Sequence, residues 1–496
     1  MEHLLAAVDI GSNSFRLSIG RVEQTDGLRQ IYQIDKLKET VRLAAGLNEN
    51  KILSEDAIER ALEVLHRFGD RLRSFDPDRV RAVATNTFRV ARNTPQFLPR
   101  AEAALGFPIE VIAGREEARL IYTGVSQTLP ASDDHRLVID IGGGSTEAVI
   151  GQRDTPVLTA SLYMGCVSYS RRFFPDGQID ADRMQAAITC ARREIEIITK
   201  PYCRLGWQQA YGSSGSSKAL YAILTEGGLS EHGITLEGLH RLKDKLISAG
   251  RVIVEDLPGI KSHRADVLPG GLAIMTGFFE ELQIDRMRTG DGALRLGVLV
   301  DLAGRESFRD RRDETVKAFM KRYRVESRQA ARVKRACLSL YDSIAIQDDI
   351  DDDLRHFLSW ASDLHEAGLS IAQSGYHKHG AYILTHADMP GFSKVDQDLL
   401  AMLVLAHHGK LSKITNKIRH DRQWKAILAL RLATLLCRRR EEINRLTLSV
   451  TFQDKHIITK VDRLWLQDHP LAHYSLQTEQ QEWEKAGFTF ELIACP

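Results

Sequence analysis

The sequence predicts a layered α/β protein built from a duplicated unit, followed by a helical segment and a small β-rich tail. Three observations carry that prediction. Two segments align without a gap, Ala7-Val8-Asp9-Ile10-Gly11-Ser12-Asn13-Ser14-Phe15-Arg16-Leu17-Ser18-Ile19-Gly20 and Val138-Ile139-Asp140-Ile141-Gly142-Gly143-Gly144-Ser145-Thr146-Glu147-Ala148-Val149-Ile150-Gly151, with Asp9 on Asp140 and Gly20 on Gly151. Strand-like and helix-like stretches alternate as far as about Gly304, the pattern of helices packed on sheets. Beyond that point charged helical periodicity takes over, and the last fifty residues return to alternation with period two.

Each matched segment reads as an apolar strand ending in Asp, a tight turn of Gly and Ser, and a second strand, which is a hairpin signature. Glycines let backbone N–H groups approach an anion without a Cβ in the way, so two such loops suit a grip on a phosphate chain. Carboxylates beside them suit Mg²⁺ or a positioned water. Further along, residues 27–42 read as β, and 54–75 as a helix with Ser54 as cap and Ile58, Ala61, Leu65, Phe68 and Leu72 on one face. Short strands follow at 79–84 and 109–112, and Gly114 precedes a helix that opens Glu116-Glu117. The second unit, from about Arg136, contains a helix at 180–199 and a Gly/Ser turn at 211–218. That turn is no Walker A loop, because Ser217 and Ala219 flank Lys218 where Gly and Ser/Thr are required. Helices run from Asp313 to about Asn444 with an acidic break at 348–353, and strands are expected at 446–451, 457–461 and 488–493. The expected domains are therefore 1–125, 126–304, 305–444 and 445–496.

A composition of 43% hydrophobic and 27% charged residues is that of a soluble globular protein. No basic leader or apolar run near twenty residues is present, and six scattered cysteines argue for reduced thiols, so a cytoplasmic protein is expected, with no membrane-spanning segment. The net charge of +1 hides an asymmetry. Residues 305–335 hold twelve Lys/Arg against five Asp/Glu, and residues 410–440 hold ten against one. Such segregation points to a polyanion partner rather than a neutral one.

The motifs DIGSNSFR at 9–16, ATNTFR at 84–89, GREEARLIY at 114–122, DIGGGSTE at 140–147, MGCVS at 164–168 and PGGLAIM at 269–275 occur in this order. With them the chain resembles the exopolyphosphatase and guanosine pentaphosphatase (Ppx/GppA) family, a phosphohydrolase branch of the actin-like (ribonuclease H-like) ATPase superfold. LHEAGLSI at 364–371, SGYHKHGAYIL at 374–384 and DMPGF at 388–392 are similar to the long exopolyphosphatase members. The resemblance implies Glu117 as catalytic base and Glu147 as a second catalytic carboxylate, whereas Glu116 stays a first-turn carboxylate facing the helix dipole. It implies a phosphate loop of Gly142, Gly143, Gly144 and Ser145, with Ser12 and Asn13 opposite, Cys166 lining the site, and Arg89 and Arg264 on the phosphates. Asp140 and Glu147 are the expected Mg²⁺ ligands. One departure stands out: Leu296 occupies the Glu position of the family's ALREG stretch.

The histidines His356, His365, His377, His379, His386, His407 and His408 invite comparison with HD-type metal phosphohydrolases, but His365-Glu366 stands where His-Asp is wanted. An HD-like helical domain without metal chemistry is expected, with His377 and His379 beside a polyphosphate channel. The resulting expectation is a homodimeric exopolyphosphatase that binds no nucleic acid and releases orthophosphate stepwise from inorganic polyphosphate. Hydrolysis of guanosine pentaphosphate is the alternative, and an actin-like nucleotide switch a more distant one.

Overall fold

The computed structural model describes residues 4–25, 28–130, 132–231, 233–305, 311–345, 352–418, 420–442 and 448–495. Gly27, residues 348–351, Arg419 and residues 446–447, all within expected features, lie outside them. The chain divides into two compact units, Met1–Arg309 and Asp310–Pro496.

The first unit carries two five-stranded sheets of the same design. One contains β1 (Leu4–Ile10), β2 (Ser14–Thr25), β3 (Leu28–Thr40), β4 (Val80–Ala84) and β5 (Ile109–Val111), in the order β3-β2-β1-β4-β5. The other contains β6 (His135–Ile141), β7 (Thr146–Gln152), β8 (Thr155–Leu162), β9 (Gln209–Ser213) and β10 (Arg288–Thr289), in the order β10-β9-β6-β7-β8. In each, three antiparallel strands form a meander and two parallel strands extend the first of them. The duplication holds to the residue. The register slips between Ile19 and Gly20 in one sheet and between Ile150 and Gly151 in the other, at positions the sequence alignment superposes. Strands β1 and β6 are apolar along almost their whole length because helices cover the sheets.

Helices α1 (Glu55–Leu72), α2 (Asn86–Val90) and α3 (Thr94–Leu105) accompany the first sheet, and α5 (Cys166–Phe173), α6 (Ala181–Leu205), α7 (Ser214–Glu226), α8 (Leu236–Ala249) and α9 (Leu268–Leu282) the second. The last helix of each half crosses over: α4 (Gly114–Ser126) packs on β7 and β8, and α10 (Leu294–Arg305) on β1, β2 and β4. The equivalent helices α4 and α10 cross at glycine. A Cβ on Gly297 would lie 1.7 Å from the Leu120 carbonyl oxygen, and one on Gly124 would lie 2.2 Å from that of Ala293. Gly297→Ala must therefore push the helices apart. It is expected to cost about 1–3 kcal/mol, the usual toll of overpacking, read as a lower urea midpoint for the first unit.

The second unit holds α11 (Arg311–Arg322), α12 (Ser327–Ala345), α13 (Asp352–Leu364), α14 (Tyr376–His386), α15 (Lys394–Ala406) and α16 (Asp421–Leu436). The tail strands β11 (Leu448–Gln453), β12 (His456–Asp462) and β13 (Thr489–Cys495) form one sheet, as expected. Sequence periodicity overlooked two helices between them, α17 (Arg463–Asp468) and α18 (Pro470–Lys485). Helix α18 buries only Leu476, Glu479 and Trp483, too few apolar positions to show a helical stripe. Tail and helices share a continuous core in which Trp483 meets Trp424 at 5.7 Å and Phe488 at 5.0 Å. Among the described residues no helix is long and apolar enough to cross a membrane.

Candidate active site

The two matched hairpins meet face to face. Asp9 stands opposite Arg16 across β1 and β2, and Asp140 opposite Glu147 across β6 and β7. In the second turn the Gly142 N–H donates to the Ser145 carbonyl at 2.9 Å. A Cβ on Gly142 would press within 2.9 Å of that oxygen, and one on Gly11 within 3.0 Å of the Ser14 oxygen, so both turns need glycine for the same reason. Gly143 reaches the first loop: its Cβ position is 3.4 Å from Ser12 Cβ and 3.6 Å from Asn13 Cβ. The Ser12 hydroxyl accepts from Thr87 at 2.8 Å, and Ser145 is buried within the second turn. Asn86, at the start of α2, touches Gly144, and its Nδ2 is buried with no hydrogen-bond partner. A buried donor of this kind fits a ligand oxygen. The chain after β8 closes the loop from behind, where the Cys166 N–H donates to the Gly142 oxygen at 2.9 Å. The Cys166 thiol is buried, which pushes its pKa up and keeps it protonated.

Four carboxylates gather around the loops. Glu117 sits in the first turn of α4, 7% exposed, and its Oε2 accepts from Arg89 at 2.8 Å. Arg89 is itself fixed by donating to the Ile112 oxygen at 3.0 Å. Glu147, 1% exposed, accepts from Ser161 at 2.8 Å. Burial raises the pKa of Glu117 against the pull of Arg89, and Asp9 and Asp140 add to the rise. Glu147 is pushed well above the usual carboxylate range by burial and then by the charge of Glu117. Asp140 is raised to about 6 by burial, opposed by Ser213 and Arg16. Its folded value thus exceeds the unfolded 3.8, so the stability it contributes is full below 3.8 and is lost as pH rises through about 6. Urea titrations without divalent cation are expected to show that fall, and Asp140→Asn should flatten it.

Three guanidinium groups face this acidic floor. Arg264 packs so closely on the start of α7 that a Cβ on Gly215 would lie 1.7 Å from its Nη2. Burial, then the charge of Arg16, lowers the pKa of Arg295, and burial lowers that of Arg264. Among the described residues Arg16, Arg264 and Arg295 make no ion pair, and Lys38 and Lys261 add to the same positive field, which with burial pushes the His263 pKa down. Unpaired half-buried arginines around two backbone loops suit an anion. Sequence reasoning named Arg264 as a phosphate contact and did not name Arg16, Arg295 or Asn86. The hairpin register, which sets Arg16 opposite Asp9, held the signal for Arg16.

Glu116 is not a solvent carboxylate at a helix end. It is 3% exposed and takes two bonds of 2.8 Å from Arg119, which also bonds Asp301 at 2.5 Å. Arg81 joins from β4, bonding Asp301 at 2.7 Å and Glu110 at 2.9 Å. This buried network ties β4, β5 and α10 to the first turns of α4, which carry Glu117.

In the second unit His377 and His379 both lie on α14, His377 buried and His379 half-buried. His365, His377, His407 and His408 gather around Tyr376 through ring contacts of 5.2–6.3 Å. Among the described residues, in either unit, no three His, Cys, Asp or Glu side chains are placed to hold a metal ion by themselves. The basic runs are partly neutralised. Arg332 and Arg335 pair with Glu442, Lys334 with Asp363, and Arg440 with Glu326 and Glu366.

Duplicated sheets, facing glycine loops and buried carboxylates are the frame of a phosphohydrolase. The chain belongs to the Ppx/GppA phosphatase family: residues 21–306 match the Ppx/GppA phosphatase family model, and residues 311–480 match Ppx/GppA phosphatase domain III. It is 37% identical over 494 residues to the guanosine-5'-triphosphate,3'-diphosphate pyrophosphatase of Pseudoalteromonas atlantica, covering 98% of this chain and 97% of that one. The protein of the same name from Photobacterium profundum is 34% identical, with 99% and 98% covered. Among solved structures, the Aquifex aeolicus Ppx/GppA family member aligns with a TM-score of 0.51 and 27% identity, over 62% of this chain and 99% of that one. These full-length relatives carry the guanosine nucleotide name rather than that of an exopolyphosphatase.

Proposed function

We propose that this hydrolase removes the terminal 5′ phosphate of guanosine pentaphosphate as orthophosphate. The observation that carries the reading is the juxtaposition of Glu117 and Glu147, both buried, with two facing glycine loops and an unpaired arginine cluster. The names of the full-length relatives support the guanosine nucleotide over polyphosphate.

Glu117 acts as the base. Phosphoryl transfer to water needs an in-line water and an acceptor for its proton, and a buried carboxylate whose pKa is raised is a stronger acceptor than an exposed one. Arg89 holds that carboxylate in place. Glu147 shares the water, anchored by Ser161. Gly142, Gly143, Gly144 and Ser145 on one side, with Ser12 and Asn13 on the other, bind the terminal phosphate through backbone N–H and hydroxyl groups. Arg16, Arg264 and Arg295 take the remaining phosphates, and Cys166 packs the loop rather than reacting. Asp140 and Glu147 offer hard oxygen donors, which suits Mg²⁺ that draws its other ligands from water and phosphate. When bound, the ion would neutralise charge on the phosphate chain.

Product analysis tests the reaction. Incubation with guanosine pentaphosphate should yield orthophosphate and the tetraphosphate in equal amounts, and pyrophosphate release would overturn it. The proposal includes a cytoplasmic location, where the six unpaired cysteines stay reduced, and a homodimer measurable by size exclusion. Polyphosphate hydrolysis stands as the second reading, since the arginine cluster suits any phosphate chain.

A further inference from the structure

The second unit contains a cavity of about 920 Å³, within the size range of small-molecule sites. Its walls come from the ends of α13 and α15, from α14, α16 and α18, and from the turn after α16. Its charges do not cancel. Three carboxylates line it and each is already engaged: Glu479 accepts from Arg431 at 2.9 Å, Glu366 pairs with Arg440 at 2.6 Å, and Glu482 with Lys485 at 2.9 Å. The lining cations Lys410 and Arg438 are exposed and make no ion pair among the described residues.

The wall that presents Lys410 is built. Arg431 is 4% exposed and donates to the Ala406 and Gly409 oxygens at 2.6 and 2.9 Å, pinning the turn after α15. His407 is fixed through Nδ1, which donates to the Val404 oxygen at 2.5 Å, so its Nε2 accepts from the Tyr376 hydroxyl at 3.1 Å. Behind Gly409, the Nδ1 of His377 is buried without a partner. Burial and the neighbouring charge of Lys413 push the His377 pKa down to about 4, and burial with Arg431 brings Lys413 to about 8. The lining cations Lys410 and Arg438 leave this wall of the cavity positive, and the ligand that balances it is an anion.

We propose that this cavity binds a phosphate-bearing small molecule, whose phosphate oxygens are taken by Lys410 and Arg438. Tyr376 and Tyr474 line the rest and offer aromatic surface to a base. The site lies wholly within the second unit and does not depend on the reading of the first.

Hydrogen exchange on the full chain tests this, with GTP and inorganic triphosphate as separate probes and Glu117→Gln as background so that neither is consumed. Slowed exchange at residues 407–413 and 436–440 is expected. Protection by GTP alone supports a nucleotide as the ligand, and protection by both supports recognition of the phosphate chain. Lys410→Glu with Arg438→Glu changes two exposed side chains, so folding should persist, and the Kd read from this protection should rise about tenfold or more. No protection of these segments by either probe, protection confined to the first unit, or undiminished protection in the double variant would overturn the proposal.

Discussion

Replacing Glu117 by Gln is expected to lower kcat by about 10²–10⁴, the usual worth of a positioned base, while substrate binding persists. The amide keeps the size of the side chain, and its carbonyl still accepts from Arg89, which bonds the native carboxylate at 2.8 Å. What is lost is proton affinity, which burial and the neighbouring carboxylates raise in the native residue. The effect should therefore fall on kcat and spare the calorimetric Kd. A variant that keeps more than a tenth of wild-type kcat would remove Glu117 from the mechanism, and a matched loss of binding would recast it as a structural partner of Arg89.

The second large effect concerns stability. Asp301→Asn removes a carboxylate that hydrogen-bonds both Arg81 (2.7 Å) and Arg119 (2.5 Å), each buried. Glu116 and Glu110 remain, but the guanidinium groups cannot turn outward to water. Removing one partner of a buried ion pair costs about 3–5 kcal/mol because charge is left uncompensated. Urea unfolding of the first unit measures it. A loss below about 1 kcal/mol, typical of exposed pairs, would show that the network is not a support for α4.

The duplicated core was legible in the sequence because its signal is local. The turn glycines, the terminal Asp residues and the bulge at Gly20 and Gly151 recur at one spacing, and local geometry follows directly from them. Glu117 was legible only through its motif, since a Glu-Glu pair at a helix start reads equally well as a solvent feature. The contrast with Glu116 required the fold: Arg81 and Asp301 lie far away in sequence, and only tertiary packing makes Glu116 a buried ion. Arg295 was missed for the same reason. The charge runs at 305–335 and 410–440 misled in part, because composition cannot show that Arg332, Arg335 and Arg440 already have carboxylate partners. The helix α18 escaped because its three buried positions leave the rest of its surface polar.

The central claim is that the paired loops and Glu117 serve guanosine pentaphosphate in preference to polyphosphate. Phosphate release by the purified full-length protein, measured with each substrate under the same Mg²⁺ and salt, tests it most directly. The account predicts a kcat/KM for guanosine pentaphosphate at least about tenfold higher, a difference of roughly 1.4 kcal/mol in transition-state stabilisation. Equal or faster turnover of polyphosphate, or no orthophosphate from the nucleotide, would contradict it.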